Sequence, residues 1–261
     1  IPLRITENFF LPIVLGKAVY REYIPKTSVY TKEEAEALAL QQLHLYEEKI
    51  LAKGAEITEN NVSTDIIDDI GYIKVFSFDI GIYDQFKAEY DKLRSQNIKG
   101  IIIDLRNNPG GYVYDTLRML DIFLPKAEVL KLVNKAGEED VFKTDDREKI
   151  DIPMAVLVNQ NSASASEIFA SAVKDSGKGI VIGTQTFGKG VVQYVRPIKG
   201  HGAISIVSSQ YFTSSGVVIQ DNGIEPNIVV ELSDELKNDS YIARDKDLQL
   251  QEALKYIKEQ L

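Results

Sequence analysis

Cysteine is absent from this chain of 261 residues, and histidine occurs only twice, at His44 and His201. The absence of cysteine excludes thiol catalysis, disulfide bonds and zinc sites that use cysteine ligands. The scarcity of histidine argues against most hydrolytic triads and most catalytic zinc sites, because both depend on imidazole groups. A zinc site built on cysteine or histidine is therefore not expected. We expect no metal and no cofactor.

A basic surface and a membrane-spanning segment are also missing. Acidic residues outnumber basic ones by 39 to 30, which gives a formal net charge of -9. Such a surface repels phosphate backbones, so nucleic acid is not an expected partner. No apolar run reaches the roughly 18 residues of a membrane span. The chain begins at Ile1 without a recognisable signal peptide, and we expect any signal or anchor to lie outside it, in a longer precursor.

The order of apolar segments predicts an α/β fold, mixed α+β overall, with a parallel-rich core. Strand-like and helix-like segments alternate from residue 71 to residue 183, which is typical of βαβ crossovers. Continuous apolar runs predict strands that are covered on both faces, at 100–105, 152–158 and 179–183. Other expected elements are a strand at 71–78, helices at 83–94, 114–123, 164–174 and 245–261, a hairpin at 191–197 and 203–212, and a polar surface loop at 134–150.

The chain is expected to fall into three parts. Residues 1–66 form a small N-terminal β-β-α-β unit, residues 67–232 form the core, and residues 233–261 form a C-terminal helical tail. The helix of the first part begins at Thr31, where Thr31 and Glu34 make a T-x-x-E capping box. The N-terminal unit and the final helix are also the candidate surfaces for self-association.

Three turns follow the C-terminal ends of predicted strands. Ligands of open α/β sheets bind at the carboxyl ends of strands, so these turns mark the expected site. They cover Asn107–Gly111, Asn159–Glu167 and Gly183–Gly190.

The second turn places Ser164 at the start of a predicted helix. Free backbone N–H groups and the positive end of the helix dipole favour an oxyanion at such a position. Ser164 and Glu167 also form an S-x-x-E capping box, and serine is a preferred N-cap. This segment by itself therefore favours an ordinary helix cap over a nucleophile, because caps are far commoner.

The third turn holds Lys189 between Gly188 and Gly190. A lysine acts as a base only when neutral, so burial has to lower its pKa from about 10.4. The alternatives are an exposed loop lysine and a phosphate-binding lysine. The phosphate-binding pattern requires Ser or Thr where Gly190 stands, followed by a helix, and neither is present.

Taken together, these segments resemble the C-terminal processing peptidases, also called tail-specific proteases, of bacteria and chloroplasts. The similarity runs from about residue 71 to residue 232 and rests on four motifs, Ile103–Gly111, Asn161–Ile168, Thr186–Gln193 and Gly223–Pro226. It implies a core of the tail-specific protease and crotonase-like type. The PDZ signature that most members carry is not found in residues 1–70.

The resemblance also implies roles for individual residues. The nucleophile would be Ser164, and the base would be Lys189, 25 positions later, assisted by Gln193. Backbone N–H groups of the oxyanion hole would come from Gly110 or Gly111 and from Ala165. Ser162 and Ser166 are expected to be capping or orienting groups. Glu167 either forms a hydrogen bond within the site or caps the helix, and the cap is favoured. The implied activity is a serine endopeptidase that cleaves extended polypeptides through an acyl-enzyme, at an extracytoplasmic location.

Two other functions compete with this reading. The first is a non-catalytic binding or scaffold protein on the same fold, since the retinoid-binding repeats of the photoreceptor matrix resemble this core without being proteases. The second is a Ser-His hydrolase that uses His201. The chain contains no G-x-S-x-G nucleophile elbow, which argues against the Ser-His reading.

Overall fold

The computed structural model describes residues 60–145, 151–198, 202–237 and 242–261, together with four strand segments nearer the N terminus. The chain forms two compact units, residues 1–59 and residues 60–261. In the first unit, β1 (Leu3–Arg4) pairs antiparallel with β4 (Val29–Tyr30), and β2 (Phe10–Leu15) pairs antiparallel with β3 (Ala18–Tyr23). The helix predicted from Thr31 lies outside the described residues.

The second unit is built on a six-stranded sheet. Its strands are β5 (Val62–Ile67), β6 (Ile70–Val75), β7 (Gly100–Asp104), β10 (Met154–Val158), β11 (Ile180–Gly183) and β14 (Ile228–Val229). Their order across the sheet is β14-β11-β10-β7-β6-β5, and every pair is parallel except β5 with β6. The predicted parallel-rich α/β fold is therefore confirmed.

The three central strands are buried along their whole length, apart from the first residue of β11. Isoleucine, valine and leucine dominate them, because helices cover both faces of a parallel sheet and leave no solvent-facing side for polar residues. The helices that follow the strands are α1 (Ile82–Ser95), α2 (Val113–Phe123), α3 (Ala165–Asp175) and α4 (Leu248–Glu259).

Each face of this sheet has its own apolar core. The larger core joins the sheet to α1, α2 and α3 and contains the stacked and edge-on rings of Phe86, Tyr90 and Phe123. The smaller core lies on the opposite face, where α4 supplies Leu250, Ala253 and Ile257. The predicted C-terminal helix thus covers the back of the sheet and belongs to the second unit, as does β5.

A second sheet corrects one prediction. It has four antiparallel strands in the order β12-β13-β8-β9, with β8 (Glu128–Asn134), β9 (Glu139–Lys143), β12 (Val191–Ile198) and β13 (Gly202–Thr213). The β12–β13 hairpin was predicted, but residues 139–143 were assigned to a surface loop. They form a paired edge strand instead, and their mostly exposed charged side chains hid the strand pattern.

Candidate active site

Asparagine side chains and main-chain groups join the turns at the carboxyl edge of the large sheet. Because β7, β10 and β11 are neighbours, the turns that follow them meet. Asn107 N–H donates to Asn159 Oδ1 at 2.9 Å, and Asn159 Nδ2 donates back to Asn107 Oδ1 at 2.9 Å. The third turn is attached by Phe187 N–H, which donates to the carbonyl of Ser162 at 3.0 Å. The three turns singled out in the sequence are therefore brought together.

Ser164 stands where β10 gives way to α3, as the N-cap residue, and it is half-buried. Its backbone angles are φ 55° and ψ -113°. Non-glycine residues rarely adopt a positive φ, and such conformations cost about 1–3 kcal/mol and concentrate at functional sites. An ordinary N-cap has an extended backbone, so a helix cap alone does not account for this conformation.

The Gly110–Gly111 turn packs directly on the serine turn. A Cβ atom added at Gly110 would lie 2.5 Å from the carbonyl oxygen of Ala163 and 2.8 Å from the nitrogen of Ala165. Gly110 also has φ +92°, which side chains rarely tolerate. Glycine is thus required for the backbone to approach the serine turn this closely.

The predicted oxyanion donors differ in their availability. Gly110 N–H already donates to Asn108 Oδ1 at 2.9 Å, and Asn108 is fixed in turn because its Nδ2 donates to the Val75 carbonyl at 2.8 Å. Within the described part of the chain, neither Gly111 N–H nor Ala165 N–H donates to a protein acceptor. Gly111 and Ala165 therefore differ from Gly110, whose N–H already has an acceptor, although Ala165 is fully buried.

A buried carboxylate connects the serine turn to the lysine loop. Glu167 is fully buried on the first turn of α3, and its Oε2 accepts from Ser164 N–H at 2.7 Å and from Lys189 N–H at 2.9 Å. Its Oε1 accepts from the Thr186 hydroxyl at 2.6 Å and from Gly188 N–H at 2.7 Å. One carboxylate oxygen thus binds the main-chain nitrogens of both Ser164 and Lys189, which brings the two backbones close together.

Comparison with known proteins gives the family. The model of "Peptidase family S41" matches residues 69–230, which is more than half of the chain and contains all three turns. The chain belongs to peptidase family S41.

Individual relatives agree with this assignment. The chain is 38% identical to a carboxy-terminal-processing protease of Bartonella bacilliformis over 62% of this chain and 39% of that protein. It is 34% identical to a carboxyl-terminal-processing protease of Synechocystis sp. over 71% of this chain and 43% of that protein. The solved photosystem II D1 C-terminal processing protease superposes with a TM-score of 0.61 at 26% identity, over 68% of this chain and 50% of that one. The chain thus spans about two fifths of the length of these curated relatives.

Tyr211 is a site residue of this S41 chain that the sequence analysis missed. It lies on β13, is fully buried, and donates its hydroxyl hydrogen to the main-chain carbonyl of Lys189. Burial raises the pKa of Tyr211 well above its usual value, the hydrogen bond with the Ser164 side chain opposes the rise, and the charge of Glu167 adds to it. One hydroxyl thus contacts both the serine side chain and the lysine backbone. Tyr211 belongs to the four-stranded sheet, whereas Ser164 follows a strand of the six-stranded sheet. Only the tertiary structure brings the two residues together, so no local motif could have indicated this contact.

Gln193, which was expected to assist Lys189, lies on β12, three positions after the turn of residues 183–190. Its side chain is exposed, and it stands next to an irregularity in the β12–β13 register. Gln220 contacts the end of that turn, because its Oε1 accepts from Gly190 N–H at 2.9 Å. Lys189 itself is half-buried. His44 and His201 lie outside the described residues.

A buried ion network holds Arg106, the residue that precedes the turn of residues 107–111 in this S41 core. Arg106 donates to both oxygens of Asp104 on β7 and to both oxygens of Asp247 at the start of α4, at distances between 2.7 and 3.1 Å. Burial raises the pKa of Asp104, but the Arg106 charge and hydrogen bonds outweigh it and hold that pKa below its usual value. Tyr72 adds a hydroxyl donor to Asp104 at 2.6 Å.

The described residues of this S41 chain contain no group of three or more histidine, cysteine, aspartate or glutamate side chains arranged to hold a metal ion. Among the helices of those same residues, none combines the length and the apolar character needed to cross a bilayer.

Proposed function

We propose that this chain is the catalytic portion of a serine endopeptidase in which Ser164 is the nucleophile and Lys189 the general base. The observation that carries the proposal is the shared Glu167 oxygen, which holds the serine and lysine main chains side by side within an S41 fold. The curated relatives are named as carboxy-terminal-processing proteases, which agrees with a polypeptide substrate.

The proposed reaction is acyl transfer in two steps. The neutral amine of Lys189 takes the proton of Ser164 Oγ, and the oxygen attacks the carbonyl carbon of the scissile peptide. The oxyanion that forms is stabilised by Gly111 N–H and Ala165 N–H. The C–N bond then breaks, the lysine ammonium returns the proton to the leaving amine, and water hydrolyses the acyl-enzyme.

The test combines a covalent probe with cleavage of an unfolded protein. A serine-directed fluorophosphonate is expected to label Ser164, located by mass spectrometry, and the chain is expected to cleave unfolded casein. Ser164→Ala should abolish both signals, and Lys189→Ala should lower cleavage by about 10⁴-fold, as loss of a general base does in related mechanisms.

The matched control is Lys143→Ala, which removes a lysine on β9 that is 56% exposed and pairs with Glu128. It is expected to keep wild-type activity. Cleavage that survives Lys189→Ala but is lost in His201→Ala would overturn the Ser-Lys assignment in favour of a Ser-His hydrolase. A wild-type chain that neither accepts the probe nor cleaves casein would instead support the scaffold reading, against which the strained Ser164 backbone argues.

The extracytoplasmic location implied by the family resemblance also stays a proposal. Fractionation of cells that express the full-length gene product, with detection in the envelope or medium and not in the cytoplasm, is the expected result. Self-association through residues 1–59 or α4 is a further proposal, to be checked by sedimentation of the purified chain.

A further inference from the structure

Glu167 does more than the sequence pattern predicts for it. A capping-box glutamate accepts one hydrogen bond, from the N–H of the N-cap residue. In this chain that bond to Ser164 is one of four, and the other three donors come from the loop of residues 186–189. A helix cap alone has no need of these three bonds.

We propose that Glu167 is a positioning residue, whose carboxylate fixes the distance and orientation of the lysine loop relative to the nucleophile turn. Its catalytic consequence rests on the function proposed above, but the positioning itself does not. The carboxylate acts through Ser164 and Lys189, since it accepts hydrogen bonds from their main-chain N–H groups and from the neighbouring loop.

The chemistry of the four bonds explains why the residue is a carboxylate. An ionised carboxylate only accepts hydrogen bonds, on two oxygens with about four lone-pair sites, and here each oxygen receives two donors. A glutamine has one accepting oxygen and an NH₂ group that only donates, so two of the four donors would face another donor. Burial of the charge is costly, and the four donors offset that cost.

Thr186 connects the Glu167 carboxylate to the chain segment that follows β13. Its hydroxyl donates to Glu167 Oε1 at 2.6 Å and accepts from Ile224 N–H at 2.6 Å. Thr186 N–H also donates to the Ile224 carbonyl at 3.2 Å. The carboxylate is therefore coupled to three backbone segments, those of Ser164, Lys189 and Ile224.

The test compares Glu167→Gln with the wild-type chain in two independent measurements. Amide hydrogen exchange at Gly188 and Lys189 is expected to accelerate by about tenfold or more, because at least one pair of hydrogen bonds to a charged acceptor is lost. In steady-state cleavage of a peptide substrate, kcat is expected to fall by about 100-fold with KM unchanged, the penalty of a small misplacement of catalytic groups.

Ser171→Ala is the matched control, since Ser171 is a buried residue of the same helix whose hydroxyl donates only to the Ile168 carbonyl, at 3.0 Å. It should leave both the exchange at residues 188–189 and kcat as in the wild type. Thr186→Val keeps the shape but removes both the donor to Glu167 and the acceptor of Ile224 N–H, so kcat should fall. Thr186→Ser keeps the hydroxyl and should restore kcat.

The outcomes separate this inference from the proposed function. Wild-type exchange and wild-type kcat in Glu167→Gln would overturn the positioning role, even if Ser164→Ala and Lys189→Ala are inactive. Faster exchange in a chain that has no protease activity at all would support the positioning role and remove the proposed function. If Glu167→Gln does not fold, the Thr186→Val and Thr186→Ser pair decides in the same way.

Discussion

At the scale of single residues, the site depends on close contact between two main-chain segments. Gly110 lies against the main chain of Ala163 and Ala165, and Ser164 takes a positive φ at the adjacent turn. Such contacts leave no room for side chains, so a small steric change is transmitted directly to the nucleophile. The residue types were visible in the sequence, but the distances between them were not.

Gly110→Ala is predicted to damage both stability and activity. The added methyl group would meet Ala163 and Ala165 at distances that force the serine turn to move, so cleavage should fall by about 100-fold. Gly137→Ala is the matched control, because Gly137 has a similar φ of +83° and an added Cβ there would meet no atom within 4 Å. In urea unfolding, the control should lose about 1 kcal/mol of unfolding free energy, from the left-handed backbone alone. Gly110→Ala should lose about 1–3 kcal/mol more through overpacking. Equal effects of the two variants on activity would contradict the close packing of the turns.

At the scale of elements, the C-terminal helix is joined to the core by charge as well as by apolar contact. Asp247 caps α4 by accepting from Leu250 N–H at 3.0 Å, and the same carboxylate binds both terminal nitrogens of Arg106. The N-cap of one helix is thereby fixed to the turn that leads into Gly110. We expect the position of α4 to influence the site through this network.

Asp247→Ala is predicted to destabilise the chain by about 3–5 kcal/mol, because it leaves the Arg106 guanidinium buried with only part of its countercharge. Asp247→Ser keeps a cap and loses the ion pair, so it should recover about 1 kcal/mol of that loss. Urea unfolding followed by circular dichroism measures both. A loss no greater than that of a simple cap in Asp247→Ala would show that the ion pair contributes nothing.

The sequence predicted strands and helices well where one residue pattern dominated the segment. The isoleucine-rich strand β7 and the helices α1, α2 and α3 were found within one or two residues of their observed ends. Strand β8, which lies between β13 and β9, was missed. Strand β9 was assigned to a loop, because it is an edge strand with mostly exposed charged side chains. Glu167 was recognised as a cap, since the S-x-x-E spacing is local, but its three loop donors were not predicted.

At the scale of the whole molecule, the second unit is a sheet with an apolar core on each face and a buried ion network at one end. The network makes stability depend on pH. The pKa of Asp104 is lower in the folded chain than its ordinary value of 3.8. A lowered pKa means that the unfolded chain takes up the proton first, so the stabilisation is complete above pH 3.8 and is lost as the pH falls further.

We therefore predict that the free energy of unfolding contributed by Asp104 is constant from neutrality down to pH 3.8 and declines below it. The measurement is the ¹³C chemical shift of the Asp104 carboxyl carbon through an acid titration, alongside urea unfolding at each pH. Asp151→Asn is the control, because its side chain is 95% exposed and its loss should leave the acid dependence in place. An Asp104 carboxyl that titrates at or above 3.8 would contradict the role of Arg106.

The sequence by itself determined the fold class, the alternation of strands and helices from β6 to β11, and the three turns that carry the site. These features follow from local periodicity, turn chemistry and motif spacing, all of which are written in consecutive residues. Only the tertiary structure decided which groups meet, namely Glu167 with the lysine loop, Tyr211 with Ser164 and Lys189, and Arg106 with Asp247. Those contacts join residues from 19 to 141 positions apart. Such residues meet because of how strands pair and helices pack, which no short stretch of sequence encodes.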